Sequence, residues 1–366
     1  MLRVAFDEQI FLLQQAGGVS RYFVELVAQF DTGRFGVQPK LPFHRVWNQH
    51  ALDGLPEHQL TAVSPLLAPY PDLLRAAARR RRPSAGVDLV HHTFYHPRFL
   101  RDFPGIPKVI TIYDLIPELL GERGRFGRDP HMAKRDYLAA ADAIILISAS
   151  AEADMVRIYG QPAAPMHVVH LGVGPEFAAG GARPAGLPAD YVLFVGRRGG
   201  YKDFATLVRA MEQMAPDYPQ LDLVCVGGGP FTPEEGALLA ASGLDARTRQ
   251  CTLPDADMPG AYAHARVFVF PSRYEGFGLP VVEAMAAGAP AVLAQTPALA
   301  EVGGDAAAYF PAGDADRLTQ VLAELLADGA RRDELKTAGR RRAQHFTWAE
   351  TARRTADVYA EVVAAR

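Results

Sequence analysis

The chain has 366 residues, of which 49% are hydrophobic and 22% are charged. This length accommodates two domains, and the composition excludes a disordered or fibrous protein. The net charge of −3 excludes a nucleic-acid-binding protein on charge alone. Two cysteines, Cys225 and Cys251, exclude a disulfide framework, and no Cys and His spacing is typical of a zinc site.

The first residues, Met1 to Asp7, predict a short strand rather than an export signal. No apolar run reaches the roughly 18 residues of a membrane-spanning helix. Both cysteines adjoin apolar runs and are interpreted as small buried side chains. We therefore expect a cytoplasmic protein in a reducing compartment.

Short apolar runs alternate with helical patterns along most of the chain. Strands are predicted, in chain order, at residues 2–6, 87–91, 108–113, 143–148, 167–171, 191–196, 221–226, 267–270 and 289–294. Helices are predicted at residues 18–30, 130–141, 204–214, 280–287 and 348–366. This alternation is typical of βαβ units in doubly wound parallel sheets.

A segment rich in Gly and Pro, residues 172–189, interrupts the alternation and is interpreted as a linker. It would join two Rossmann-like domains, 1–171 and 190–346, that face each other across a cleft. The C-terminal helix, within residues 347–366, is amphipathic, with Ala352, Ala356, Tyr359 and Val363 on one stripe. We expect this helix to cross back to the first domain.

Ligands of such sheets bind where strands end at their carboxyl edge, so the residues after each strand are the candidate site. Glu275 to Gly278 follow the predicted strand 267–270, and Glu283 lies in the helix that comes next. Glycines and a helix N-terminus favour a bound phosphate, while carboxylates accept hydrogen bonds from hydroxyl groups. Arg197 and Lys202 follow another strand, and two such cations suit a diphosphate.

The spacing Glu275-x7-Glu283, with Gly-Phe-Gly-Leu-Pro between the two acids, closely resembles the donor-site motif of glycosyltransferase family 4, a retaining family with the GT-B fold. The resemblance covers nearly the whole chain and is strongest over residues 191–310. The segments Gly-Arg-Arg-Gly-Gly-Tyr-Lys-Asp-Phe at 196–204 and Gly-Gly-Val-Ser-Arg-Tyr at 17–22 resemble a bacterial subgroup that includes O-antigen and exopolysaccharide mannosyltransferases.

The resemblance implies roles for particular residues. Arg197 and Lys202 would hold the donor diphosphate, and Glu283 would bind the ribose. Glu275, with Arg197 and Lys202, would form the catalytic group. The remaining donor-site positions that it implies are Gly18, Gly196, Gly276, Phe277, Gly278 and Leu279. Gly18 would approach the phosphates from the opposite domain.

The acceptor or sugar side is predicted to include three residues that follow strands, namely His92, Tyr113 and Asp114. Many family members have His-Asp where this chain has Tyr113-Asp114. A histidine at a strand end is as readily structural as catalytic, and Asp114 would serve either as a base or as a cap of the next turn.

The resemblance implies transfer of a hexose from a nucleotide sugar to a hydroxyl group, without a cofactor or metal. GDP-mannose is the favoured donor, a UDP-sugar is the alternative, and a growing, lipid-linked glycan is the expected acceptor. A sugar-nucleotide epimerase, a glycoside hydrolase and a non-enzymatic carbohydrate-binding protein are the other classes considered. Arg75 and Arg79 to Arg82 predict peripheral contact with an anionic membrane, although a solvated helix end explains them as well.

Overall fold

The computed structural model describes residues 1–63, 86–121 and 133–366, which divide into two compact units. The first unit contains residues 1–171 and 348–366, and the second contains residues 172–347. The segment 172–189, predicted to be a linker, lies in the second unit and includes the short helix Pro175–Ala179.

In its described part, the first unit is built on a parallel sheet of six strands. From edge to edge the strands are Val37–Lys40, Leu2–Phe6, Leu89–His92, Lys108–Ile112, Ala143–Leu146 and Met166–Val168. Two short strands, Arg45–Val46 and Thr61–Ala62, form a separate pair. The helices in the described part of this unit are Gln9–Leu13, Gly18–Asp31, Gln49–Gly54, Ile116–Leu120, Lys134–Ala140, Ala149–Tyr159 and Trp348–Ala364.

The second unit has a parallel sheet of the same size. Its strands, from edge to edge, are Thr248–Cys251, Asp222–Val226, Tyr191–Val195, Val267–Phe270, Ala291–Ala294 and Ala308–Phe310. Its helices are Pro175–Ala179, Phe204–Met214, Pro233–Ala241, Met258–Ala263, Leu279–Ala287, Pro297–Gly303, Ala315–Ala327 and Gly329–Ala343.

The C-terminal helix Trp348–Ala364 packs in the first unit, as predicted. Its Tyr359 hydroxyl lies 2.6 Å from His91 Nδ1 inside the core. The predicted apolar stripe is wrong at one position, because Val363 is 38% exposed while Val362 is buried. Because a helix turns about 100° per residue, Val362 lies about 60° from Tyr359 on the side where the buried face is centred, whereas Val363 lies about 40° from Tyr359 on the side away from that centre.

Every predicted strand overlaps a strand of the structure, whereas most edge strands of the two six-stranded sheets have no prediction. The structure places the predicted strand 87–91 at Leu89–His92 and shortens 167–171 to Met166–Val168. Three edge strands, Val37–Lys40, Thr248–Cys251 and Ala308–Phe310, were missed. The first contains a proline and the second three polar residues, so neither shows the continuous apolar run of a doubly covered strand.

The helix predicted at 130–141 spans Lys134–Ala140 in the described part, since residues 130–132 lie outside it. Helix Phe204–Met214 has its predicted bounds. Among the described residues, no helix is long and apolar enough to cross a membrane.

Candidate active site

The sheet of the second unit reverses its strand order beside its first strand, Tyr191–Val195. The chain runs from this strand to one edge and then returns to Val267–Phe270 on the other side. Ligands of open α/β sheets bind outside the carboxyl ends of the strands at such a reversal. The loops that follow these two strands are 196–203 and 271–278, and they contain Arg197, Lys202 and Glu275.

Lys202 and Glu275, which come from different loops, form an ion pair. Lys202 Nζ lies 2.7 Å from Glu275 Oε1, and both side chains are largely buried. The ammonium group also lies 5.0 Å from the centre of the Phe270 ring, within range of a cation–π interaction. The structure thus brings together one residue predicted for the diphosphate and one predicted for the sugar.

Arg197 and Arg198 are neighbours with opposite environments. Arg197 is exposed and forms no ion pair with the residues that the structure describes. Arg198 is buried and pairs with Glu235 at 3.0 Å. It also donates hydrogen bonds to the carbonyls of Gly227 and Gly229, at 2.8 and 2.7 Å. Arg198 therefore shapes the loop after the neighbouring strand.

The backbone conformation at position 278 explains why the loop before helix Leu279–Ala287 has a glycine there. Gly278 has φ of 102°, which side chains other than glycine rarely adopt. A Cβ there would lie 2.9 Å from Leu299 Cδ2. Gly278 is the N-cap residue, and its carbonyl accepts a hydrogen bond from Val281 N–H at 2.9 Å. The helix therefore begins at Leu279 with its N-terminus at the predicted donor site.

The other predicted donor residues of the second unit lie in the same two loops as Arg197 and Glu275, or in the helix that follows the second loop. Gly196 has φ of 123° directly after its strand. Gly276 and Phe277 are buried in the loop 271–278. Glu283 is buried in the helix and accepts a hydrogen bond from the Tyr262 hydroxyl at 2.9 Å. Tyr262 was not predicted, because a single tyrosine in an apolar helix has no sequence signal that separates it from the core.

In the first unit, Asp7 and His92 form a fully buried pair at the ends of adjacent strands. Asp7 Oδ2 lies 2.5 Å from His92 Nδ1. Asp7 Oδ1 accepts hydrogen bonds from the Thr93 N–H at 3.0 Å and the Thr93 hydroxyl at 2.6 Å. Burial raises the pKa of Asp7. The hydrogen bond and charge of His92, together with the hydrogen bonds of Thr93 and Gln9, outweigh the effect of burial and lower this pKa overall. His92 is thus part of a buried network.

The remaining predicted residues lie in the first unit. Tyr113 is buried, which raises the pKa of its hydroxyl well above the ordinary value, and this hydroxyl donates to the Thr93 carbonyl at 3.4 Å. Asp114 Oδ1 accepts a hydrogen bond from Ile116 N–H at 3.1 Å, in the capping role considered for it. Gly18 is the first residue of helix Gly18–Asp31, and a Cβ there would meet no atom within 4 Å. In the part of the chain that the structure describes, no cluster of His, Cys, Asp and Glu is arranged to hold a metal ion.

Two protein-family models match adjoining parts of the chain. Residues 16–177 match the family described as Glycosyltransferase Family 4, and residues 185–342 match the family described as Glycosyl transferases group 1. D-inositol 3-phosphate glycosyltransferase 1 of Catenulispora acidiphila is 30% identical, covering 95% of this chain and 91% of its own length. The chain belongs to glycosyltransferase family 4, and the prediction of a nucleotide-sugar-dependent glycosyltransferase is confirmed.

Two further proteins are similar over almost the whole chain. The O-antigen chain mannosyltransferase B of Escherichia coli is 26% identical, covering 93% of this chain and 95% of its own length. The Anabaena protein HepE, solved in complex with UDP, has a TM-score of 0.72 at 16% identity, covering 99% of this chain and all of that one. The structural likeness confirms the predicted GT-B-like fold with two Rossmann-like units.

Proposed function

We propose that the protein is a retaining hexosyltransferase that moves mannose from GDP-mannose to a hydroxyl group of a growing glycan. The observation that carries the proposal is the placement of Arg197, Lys202 and Glu275 after the two strands that flank the strand-order reversal. The second unit would bind the donor, and the first unit would bind the acceptor.

Each part of the donor is proposed to bind residues whose charge or hydrogen-bonding groups are complementary to it. The exposed guanidinium of Arg197 and the ammonium of Lys202 suit the two phosphates. Glu283, held by Tyr262, has the acceptor oxygens that ribose hydroxyls need. Glu275, adjacent to Lys202, offers a carboxylate to the hydroxyls of the transferred sugar.

Breaking the bond between the anomeric carbon and the phosphate oxygen places negative charge on the leaving nucleoside diphosphate. Lys202, Arg197 and the N-terminus of helix Leu279–Ala287 would stabilise that charge as it develops. The leaving phosphate would accept the proton of the attacking hydroxyl on the same face of the sugar, so that the anomeric configuration is retained. The chain's own cations would thus neutralise the leaving group without a metal ion.

Two relatives support different donors. The Escherichia coli mannosyltransferase supports mannose, and the UDP complex of HepE supports a UDP-sugar as the alternative. Measuring the melting temperature with GDP, UDP, ADP and dTDP distinguishes them. At one hundred times its dissociation constant a ligand stabilises by about 2.7 kcal/mol, so we expect a clear shift with GDP. A shift with UDP and none with GDP would contradict the GDP-mannose assignment but not the enzyme class.

Membrane contact is the remaining part of the proposal. Arg75 and Arg79 to Arg82 lie outside the described residues, so this prediction depends on the sequence alone. Each arginine near an anionic surface gains about 1 kcal/mol, which would bring the enzyme to a lipid-linked acceptor. We expect the protein to sediment with anionic but not neutral vesicles at low salt. Equal sedimentation after replacement of Arg79 to Arg82 by Gln would contradict the role of this segment.

A further inference from the structure

A pair of side chains outside the predicted site joins the two loops that hold Lys202 and Glu275. Arg273 Nε donates to Asp203 Oδ2 at 2.8 Å, and Arg273 Nη2 donates to Asp203 Oδ1 at 3.2 Å. The backbone N–H of Arg273 also donates to the Tyr201 carbonyl at 2.8 Å. Asp203 directly follows Lys202, and Arg273 precedes Glu275 by two residues. Three hydrogen bonds therefore connect the segments on either side of the ion pair.

Asp203 has an uncommon backbone conformation that its side-chain contacts support. Its φ of 51° and ψ of 42° lie in the left-handed region, which non-glycine residues occupy at a cost. Such a conformation persists where the surroundings determine it. Here Asp203 is buried, and its Oδ2 accepts a further hydrogen bond from the Thr206 hydroxyl at 2.8 Å. Arg273 and Thr206 together fix the carboxylate, and with it the turn that ends at Lys202.

We infer that Arg273 is a positioning residue that, through Asp203, holds Lys202 in the place where it binds the donor diphosphate. This inference rests on the proposed function. A lysine has a flexible four-carbon chain, so restraining the backbone at its base lowers the entropy that binding would otherwise cost. Arg273 itself need not touch the donor, because its guanidinium is engaged by Asp203.

The experiment is a calorimetric titration of the full chain with GDP and UDP, using Arg273→Ala. Neighbouring residues that act together have coupling energies worth about tenfold in affinity, so we expect about tenfold weaker diphosphate binding. Asp203→Asn removes the carboxylate charge that pairs with Arg273 and keeps a residue that tolerates the left-handed region. We therefore expect a similar loss of diphosphate affinity. The matched control is Arg266→Ala. Arg266 precedes the same strand that Arg273 follows, and it pairs with Asp190 at 3.1 Å at the amino ends of the strands, away from the candidate site.

The decisive comparison uses Lys202→Ala as the background. If Arg273 acts through Lys202, adding Arg273→Ala to Lys202→Ala causes no further loss of diphosphate affinity. An equal loss in both backgrounds, or wild-type affinity in Arg273→Ala, overturns the inference and leaves the donor site intact. Absence of GDP and UDP binding by the wild-type chain overturns the proposed function instead, together with this inference.

Discussion

Replacing Lys202 by alanine is expected to weaken the binding of the donor's nucleoside diphosphate by roughly tenfold to hundredfold, because a hydrogen bond to a charged group contributes about 1.5–3 kcal/mol. Binding of the bare nucleoside is expected to change little, since only the phosphates would contact the ammonium group. Arg197→Ala is expected to behave in the same way. Calorimetric titration with GDP and guanosine, and with UDP and uridine, measures the difference.

The chain provides a matched control for this prediction. Lys336 lies on helix Gly329–Ala343 of the same unit and pairs with Asp333 at 2.9 Å, but its side chain is 37% exposed. Lys336→Ala removes the same charge from the unit and is expected to leave both affinities unchanged. Equal losses for diphosphate and nucleoside in Lys202→Ala would show that Lys202 does not bind phosphate.

Replacing Asp7 by alanine is expected to destabilise the first unit by about 3–5 kcal/mol, the usual cost of leaving one partner of a buried pair without the other. The variant removes the acceptor of hydrogen bonds from Gln9, His92 and Thr93. Both tryptophans, Trp47 and Trp348, belong to the first unit. Denaturant unfolding followed by tryptophan fluorescence therefore reports on this unit.

The control for Asp7 is Asp88, which pairs with Arg3 at 2.6 Å at the surface of the same unit. Asp88→Ala is expected to lower the free energy of unfolding by about 0–1 kcal/mol, as the loss of an exposed ion pair does.

The pH dependence of the stability provides a second measurement of the Asp7 contribution. Because the folded-state pKa of Asp7 is lowered, its stabilisation is present above the unfolded-state pKa of about 3.9 and is lost as the pH falls through the lower folded value. The difference between wild type and Asp7→Ala should therefore narrow in acid, and equal destabilisation by Asp7→Ala and Asp88→Ala would contradict the prediction.

The central strands and the amphipathic helices could be predicted because each is marked by a pattern within its own sequence. Strand Val267–Phe270 and helix Phe204–Met214 have their predicted bounds, since a continuous apolar run and an amphipathic period are local properties. Strand Thr248–Cys251 was missed because it gains its pairing from the neighbouring strand and has few apolar residues of its own. Edge strands therefore depend on tertiary pairing that short sequence patterns do not contain.

The residue types of the candidate site could be predicted, but their partners could not. The spacing of Glu275 and Glu283 was visible in the sequence. The ion pair of Glu275 with Lys202 joins residues 73 positions apart, and the bond from Tyr262 to Glu283 joins two helices. Such contacts depend on how strands are ordered in the sheet. The partner of His92 could not be predicted for the same reason, because only the structure shows that His92 is buried against Asp7.

In the proposed mechanism, the second unit binds the donor diphosphate at Lys202 and Arg197. A crystal structure of the full chain with whichever of GDP, UDP, ADP or dTDP raises its melting temperature most tests that claim directly. We expect phosphate oxygens within hydrogen-bond distance of Lys202 Nζ and the Arg197 guanidinium, and ribose hydroxyls within hydrogen-bond distance of the Glu283 carboxylate. A diphosphate bound away from both cations, on either unit, would contradict this expectation.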